Sequence, residues 1–437
     1  MKNKNEYKQI NNDEKQCIIN NKINNKNILG KKHFIFLVIL FLIIALNIKK
    51  LYLYYLLAKI KIKHKYNHNI ENIIIEKDLN KEMKDMKEFI YLTLNGKLIY
   101  NEDIFKKVKK PKISIVIAAY NAEGYIQNAL HSIQNQDFKD IEIVIVDDNS
   151  KDNTINLIKE LMKKDERIKL YQNDENMGTF YTKTKGVLKS KGKYVMILDQ
   201  DDIYTQSDVF STLYSYIEKI NLDIIGFSSI FSNNNNNKIG LNASNLIHYF
   251  ETPVLYQPKV SQRMYEFNEN GMPNRINYVI WDYIYKTELF KNVIKQIDDK
   301  FMNTKMVCHE DFLLFFLLSR KAKTLKYIKR IFYVNIQWRK ETNDKIRYCI
   351  EEKNKQINNL QCLSYLNYIE FLLINTENSV QDKRIASFEF NNWYFNNECR
   401  RNEFIKDKGK NICKMFINNE YIDNTEKEKI RHFLDEI

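Results

Sequence analysis

Ile113-Ser114-Ile115-Val116-Ile117-Ala118-Ala119 is the stretch from which the rest of the chain can be read. It is a short apolar run rich in β-branched residues, entered through Pro111, which favours extended backbone before it. A run of that length reads as a buried strand. Glu123 to Gln136 follows with apolar residues at Ile126, Ala129, Leu130 and Ile133, the period of a helix. Ile141 to Val146 is the next strand and Thr154 to Lys163 the next helix. A short strand at Ile168-Lys169-Leu170, a helix from Thr179 to Lys189 and a strand from Tyr194 to Leu198 continue the alternation. This order predicts an α/β fold: a mostly parallel central sheet with helices on both faces.

The 437 residues have room for one large domain or two modest ones, and 44% hydrophobic residues suffice for a sizeable core. Residues 1–32 are polar and Asn/Lys-rich, the composition of a disordered tail. The charged stretch over 59–110 has helical spacing (Ile73, Ile74, Leu79, Met83, Met86, Ile90) and reads as a stem. Asn233 to Asn237 is a low-complexity surface loop, and 346–437 reads as a helical C-terminal extension. The net charge of +14 comes from Lys spread throughout. No Arg-rich block alternates with stacking aromatics, so it reads as solvated faces and not as a nucleic-acid groove. The six Cys form no C-x-x-C or zinc spacing, which leaves disulfides and buried free thiols both open.

Phe34 to Leu46 is an unbroken apolar run, shorter than the roughly 20 residues of an ordinary span. Lys31, Lys32, Lys49 and Lys50 flank it and can snorkel, and Leu51-Tyr52-Leu53-Tyr54-Tyr55-Leu56-Leu57 suits the interface. The expectation is a single transmembrane anchor over 33–48, interfacial to about 57, with a soluble core helix as the alternative.

In open α/β sheets ligands bind at the carboxyl ends of the strands. Tyr120-Asn121 ends the first strand, Asp147-Asp148-Asn149-Ser150 the second, and Asp199-Gln200-Asp201-Asp202 a later one. Asp148-Asn149-Ser150 also fits a cap for the helix from about Asn153. Carboxylates gathered at one sheet edge repel one another unless a cation compensates them. Two of them one residue apart can direct oxygens at a hard cation that completes its shell with water and phosphates. No G-x-x-x-x-G-K-[ST] loop is present and no G-x-G-x-x-G follows the first strand, which argues against a P-loop NTPase and against dinucleotide binding. The edge therefore reads as a metal clamp on a diphosphate.

Pro111 to Asn121, Val146 to Asp152 and Leu198 to Asp202, in this order and at this spacing, resemble family 2 glycosyltransferases of GT-A fold. The resemblance covers roughly 111–340. It implies a nucleotide-sugar-binding subdomain over 111–230 and an acceptor and catalytic-base subdomain over 231–345. It also implies a nucleotide-sugar donor, usually UDP-linked, and metal-dependent transfer with inversion to a glycan, glycoprotein or glycolipid acceptor. On the family pattern Tyr120 stacks on the base, Asp148 hydrogen-bonds the uracil, Asp199 lies near the ribose and Asp201 binds Mn²⁺ or Mg²⁺. Asn176-Met177-Gly178 matches the family's N-x-G turn. Lys183 stands where Arg is usual, which implies a donor-phosphate contact as a point charge.

Trp281-Asp282-Tyr283-Ile284-Tyr285-Lys286 resembles the segment that forms part of the acceptor side, which implies acceptor-side roles for Trp281 and Asp282. His309-Glu310-Asp311 before Phe312-Leu313-Leu314 resembles the helix start that supplies the catalytic base, Asp311 first and Glu310 second. An inverting transfer needs one carboxylate to take the acceptor proton. The plainer alternative is that both acids only favour a helix N-terminus. His309 reads as structural or as a second metal ligand. Gln337-Trp338-Arg339 resembles the Q-x-x-R-W signature of processive synthases only at the wrong spacing, so non-processive transfer is expected. A catalytically silent binding scaffold is the competing class, and Asp148, Asp199, Asp201 and Asp311 occurring together argue against it. One anchor, a stem and a catalytic domain resemble type II Golgi or ER enzymes, and Asn242-Ala243-Ser244 is a glycosylation sequon expected in a loop.

Overall fold

Alternation along the strands sorts the core into two layers. Val116, Val144, Val195 and Ile197 pack into one layer, and Ile113, Ile115, Ile117, Ile141, Ile143, Ile145 and Met196 into the other. That is the period of two that a strand imposes, with helices covering both faces. Each fully buried Ile or Val contributes about 1.5–3 kcal/mol relative to exposure. The computed structural model describes residues 79, 81–97, 105–235, 238–247, 250–263, 265–267, 273–275, 279–306, 309–338, 363–364, 366–372, 385, 389, 406–418 and 424–436.

The N-terminal half follows the expected order closely. Strands β1 (Ile113–Ala119), β2 (Ile141–Asp147), β3 (Ile168–Gln172) and β4 (Tyr194–Ile197) alternate with helices α2 (Ile126–Gln134), α3 (Thr154–Met162) and α4 (Thr179–Lys189). A helix over 81–94, α1, precedes them. After β4 come β5 (Ile203–Tyr204), α5 (Val209–Ile220), β6 (Ile224–Asn235), β7 (Lys238–Ile247) and β8 (Leu255–Tyr256). The short strands β9 (Tyr265–Phe267) and β10 (Pro273–Arg275) pair with each other. Then follow β11 (Tyr283–Lys286), α6 (Thr287–Ile294), α7 (Asp299–Met302), α8 (Glu310–Lys321) and β12 (Thr324–Trp338).

The main sheet runs β3-β2-β1-β4-β11-β6-β12-β5, with β7 on β6 and β8 on β12. Pairing is parallel for β2 with β3, β1 with β2 and β4, and β6 with β12, and antiparallel elsewhere. The mostly parallel expectation is thus corrected to a mixed sheet. Strands β4 and β6 run the same way, but β11, drawn from nearly ninety residues later in the chain than β4, inserts between them reversed. Strand order reverses at β1 and β4, which opens a crevice at their carboxyl ends.

Three further boundaries shift. Residues from Glu82 onward form one compact unit. There α1 buries Met86, Phe89 and Ile90, and Asn135 donates to the Thr93 hydroxyl and the Lys97 carbonyl. This part of the expected stem is packed and not a stalk. Asn233–Asn235 are strand residues that close a β6–β7 hairpin, with Asn235 opposite Lys238. The sequon Asn242-Ala243-Ser244 lies in β7 and not in a loop. The tail over 1–32, the apolar run over 33–48 with its interfacial continuation, the stem before residue 79 and Cys17, Cys308, Cys349, Cys362 and Cys399 lie outside the described residues. Among the described residues no helix is long and apolar enough to cross a membrane.

The C-terminal extension joins the layer that contains α8. Leu366, Tyr368, Ile369, Phe371 and Leu372 belong to it, with the Tyr368 ring edge-on to Phe312 at 5.7 Å. Helices α9 (Lys406–Ile417) and α10 (Asn424–Glu436) add Ile412, Cys413 and Ile430. Burial pushes the Cys413 thiol up to about 12, so it is an inert core residue.

Gly178 opens α4 at φ +87, and a Cβ there would lie 2.7 Å from the Met306 carbonyl oxygen. Gly178→Ala is therefore expected to destabilise the fold by about 1–3 kcal/mol, read as a lower denaturant midpoint.

Candidate active site

A cavity of about 250 Å³ opens at the carboxyl ends of β1 and β4, lined among others by Tyr120, Asp148, Lys183, Asp199, Gln200, Asp201 and Glu310. Its floor is set by the Gln200 side chain, which imitates a backbone amide. Gln200 Oε1 accepts from the Tyr120 N–H at 2.7 Å, and Gln200 Nε2 donates to the Tyr120 carbonyl at 3.3 Å. The pair carries the β1–β4 junction beyond the last strand residues. Tyr120 is left with 42% of its surface exposed, free to stack on a planar ring.

Asp148 serves as a buried acceptor and not as a cap for α3. It accepts from the backbone N–H of Met177 and Gly178 and from Asn173 Nδ2, each at 2.8 Å. Cap duty falls to Asp152, whose Oδ1 accepts from the Thr154 N–H and hydroxyl. The N-x-G turn is thus tied to the end of β2 by a carboxylate that accepts three hydrogen bonds and also lines the cavity.

Beyond β4, burial acts on the acids one by one. Asp202 is fully enclosed by the Tyr333 hydroxyl at 2.6 Å, Asn335 Nδ2 at 2.9 Å and the Ile336 N–H at 2.9 Å. Burial and the charges of Asp201 and Asp199 hold its carboxyl well above the usual range. It is a structural anchor between β12 and the strand end. Burial, reinforced by the charge of Asp199, pushes Asp201 up to about 6.

Lys183, on the fifth residue of α4, sits among carboxylates. Its Nζ lies 2.9 Å from Asp199, 2.9 Å from Glu310 and 3.4 Å from Asp311, and its side chain is 3% exposed. This differs from the phosphate contact expected from the sequence: the ammonium is already committed to acids. Glu310 and Asp311 begin α8 behind His309, which takes the left-handed conformation at φ 62. Burial, with Glu310 and Asp199 alongside, holds Asp311 well above the usual carboxylate range, and Lys183 opposes that shift. His309 packs on Phe312 at 5.0 Å. Among the described residues no group of three His, Cys, Asp or Glu is arranged as a metal cage.

The acceptor-side pair is not brought to the cavity as expected. Trp281 stacks on Tyr333 at 6.0 Å, so it reaches the acidic strand end only through that ring. Asp282 is fully buried, accepts from the Ser229 hydroxyl at 2.8 Å, and its Oδ1 has no partner among the described residues. Burial pushes it up to about 8 from 3.8. A raised carboxyl favours folding when protonated, and that contribution is lost as pH climbs from about 4 toward 8. Asp282→Asn is accordingly expected to melt higher than the wild type at pH 8 and above, with the difference shrinking toward pH 4. Gln200, Tyr333 and Asn335 were missed by sequence reasoning. Gln200 was visible as the middle of an acid-x-acid motif, but the other two lie more than 130 residues from the acids they hold.

Such a crevice, acidic at the ends of parallel strands in a mixed sheet covered by helices on both faces, belongs to the GT-A-like class of α/β folds. Residues 114–293 match the family described as Glycosyl transferase family 2. It is similar to the GalNAc(5)-diNAcBac-PP-undecaprenol beta-1,3-glucosyltransferase of Campylobacter jejuni, 38% identical over 124 residues, 28% of this chain and 38% of that protein. It is also similar to the glycosyltransferase GlyA of Streptococcus pneumoniae, 31% identical over 223 residues, 48% of this chain and 29% of that one. The chain thus spans well under half the length of these two relatives. Among solved structures, Staphylococcus aureus TarS shares the fold, with a TM-score of 0.50 and 16% identity over 74% of this chain and 53% of TarS.

Proposed function

We propose that this protein moves a sugar, with inversion, from a nucleoside-diphosphate-sugar to a hydroxyl of a glycan or glycoprotein, without processive elongation. UDP is the expected nucleotide. The observation that carries the reading is the convergence of Tyr120, Asp148, Asp199 and Glu310, from four separate elements, on one cavity. Tyr120 stacks on the base and Asp148 accepts a hydrogen bond from it. Asp199 faces the ribose. Asp311 takes the acceptor proton, and a single displacement inverts the anomeric carbon.

A divalent cation, Mn²⁺ or Mg²⁺, fits this residue set. The cavity wall carries Asp148, Asp199, Asp201 and Glu310 against one ammonium, that of Lys183, whose hydrogens already meet acids. A diphosphate is repelled from such a wall unless a cation intervenes. Asp201 would hold that cation, with water and phosphate oxygens completing its shell. When bound, it neutralises the charge of the leaving diphosphate.

The name of the Campylobacter jejuni relative supports a second acceptor class, a sugar on a lipid diphosphate. A nucleotide-release screen of sugar nucleotides with purified protein and Mn²⁺ tests the donor reading. Slow UDP release without acceptor, abolished by a chelator, is expected; failure of every sugar nucleotide to bind or break, with cation present, overturns the reading and leaves a silent scaffold. Offering the same oligosaccharide free and on a polyprenyl diphosphate separates the two acceptors.

A further inference from the structure

We propose that Lys183 is a positioning residue that locks the base-bearing start of α8 onto the end of β4, and not a ligand of the donor's diphosphate. The proposal rests on Asp311 being the base. An ammonium has three N–H donors and no acceptor. Lys183 faces three carboxylates, Asp199 and Glu310 at 2.9 Å and Asp311 at 3.4 Å. Its recorded hydrogen bonds go to Glu310 and Asp311, and Asp199 closes the third side as an ion-pair partner, so acids occupy the positions a phosphate oxygen would need. The partners come from two other elements: Glu310 and Asp311, 127 and 128 residues beyond Lys183, begin α8, and Asp199 follows the end of β4.

Enclosing an ammonium this far strips most of its hydration, which the fold offsets by placing three acids around it. A packed apolar side chain would stabilise α4 against α8 more simply. What the ammonium adds is a fixed separation between the donor strand and the base, and a positive charge beside Asp311. Among the described residues, the groups that face Asp311 are Lys183 from α4, Glu310 from its own helix, Asp199 after β4 and Tyr285 from β11. Lys183 alone among them favours the ionised base.

The test uses full-length protein and compares Lys183→Met, Lys183→Gln and Lys183→Arg in transfer assays across pH. In the two neutral variants the acid limb of kcat is expected to move up by about one unit or more, because the opposing charge is gone. On the acidic side of the wild-type limb that lowers kcat by roughly tenfold, with donor KM within about threefold of the wild type. Lys183→Arg keeps the charge and should return the limb to within about half a unit of the wild type. Lys183→Gln, able to hydrogen-bond the acids, carries the comparison should Lys183→Met not fold. A roughly tenfold rise in donor KM with an unmoved limb would make Lys183 a phosphate ligand and overturn the proposal. A lower melting temperature with both kcat profile and KM unmoved would make it purely structural, and would overturn it equally. Asp311→Asn is run in parallel: wild-type transfer by that variant removes the base reading itself, whatever the lysine variants do.

Discussion

Asp311→Asn is expected to lower sugar transfer by about 10³-fold while donor affinity stays within about twofold of the wild type, the signature of a lost general base. Asn fills the same volume but takes no proton. The fold should tolerate it, because Lys183 keeps Asp199 and Glu310 as partners and the apolar turn behind, Phe312 to Phe316, stays packed. Burial and the neighbouring acids hold the Asp311 carboxyl above the usual range, so it binds a proton more avidly than a surface carboxylate. The wild-type rate should therefore fall on acidification from a higher pH than an ordinary aspartate would give. Glu310→Gln, by contrast, removes a partner of Lys183 and is expected to cost less. Donor titration with single-turnover transfer separates binding from chemistry; transfer by Asp311→Asn at the wild-type rate would end the assignment.

Asp201→Asn is expected to abolish the cation dependence of donor binding and weaken it by about a hundredfold in Mn²⁺. The same residue makes stability depend on pH. Its folded carboxyl is pushed up to about 6, first by burial and then by the charge of Asp199. The unfolded carboxyl titrates near 3.8. Protonation therefore favours the metal-free fold, and this contribution is fully present below about pH 4 and lost as pH rises toward 6. A divalent cation at Asp201 restores stability above that range, and its affinity falls as protons compete below pH 6. Melting temperatures across pH 4–8, with and without Mn²⁺, read both effects. In Asp201→Asn the part of the pH dependence due to Asp201 and the Mn²⁺ shift both disappear, while the part due to Asp282 remains; a Mn²⁺ shift that persists would place the cation elsewhere.

The order from β1 to β4 was legible because each element there is local. A run such as Ile141 to Val146 carries its own burial pattern, and α4 was readable from Thr179 to Lys189 without reference to anything distant. The reversed strand β11 was not, since nothing in Tyr283 to Lys286 says that it inserts between β4 and β6. The poly-Asn stretch misled for a related reason: Asn disfavours strands by propensity, but pairing with β7 overrides that. In the site, the acids announced themselves as strand ends and as a helix start. Their charge state did not, because burial and neighbours set it. Lys183 looked like a phosphate contact in the sequence and proves to be enclosed by three acids, two of them more than a hundred residues away. Asp282 looked like an acceptor contact and lies wholly inside the sheet.

Calorimetric titration of UDP into the purified protein reads whether the crevice at β1 and β4 takes a nucleotide with a cation on Asp201. The titration is made with Mn²⁺ and then with chelator, on the wild type and on Asp201→Asn. Saturable UDP binding that needs Mn²⁺ and is lost in Asp201→Asn is the expected result. Equal binding in chelator, or equal binding by Asp201→Asn in Mn²⁺, would contradict it.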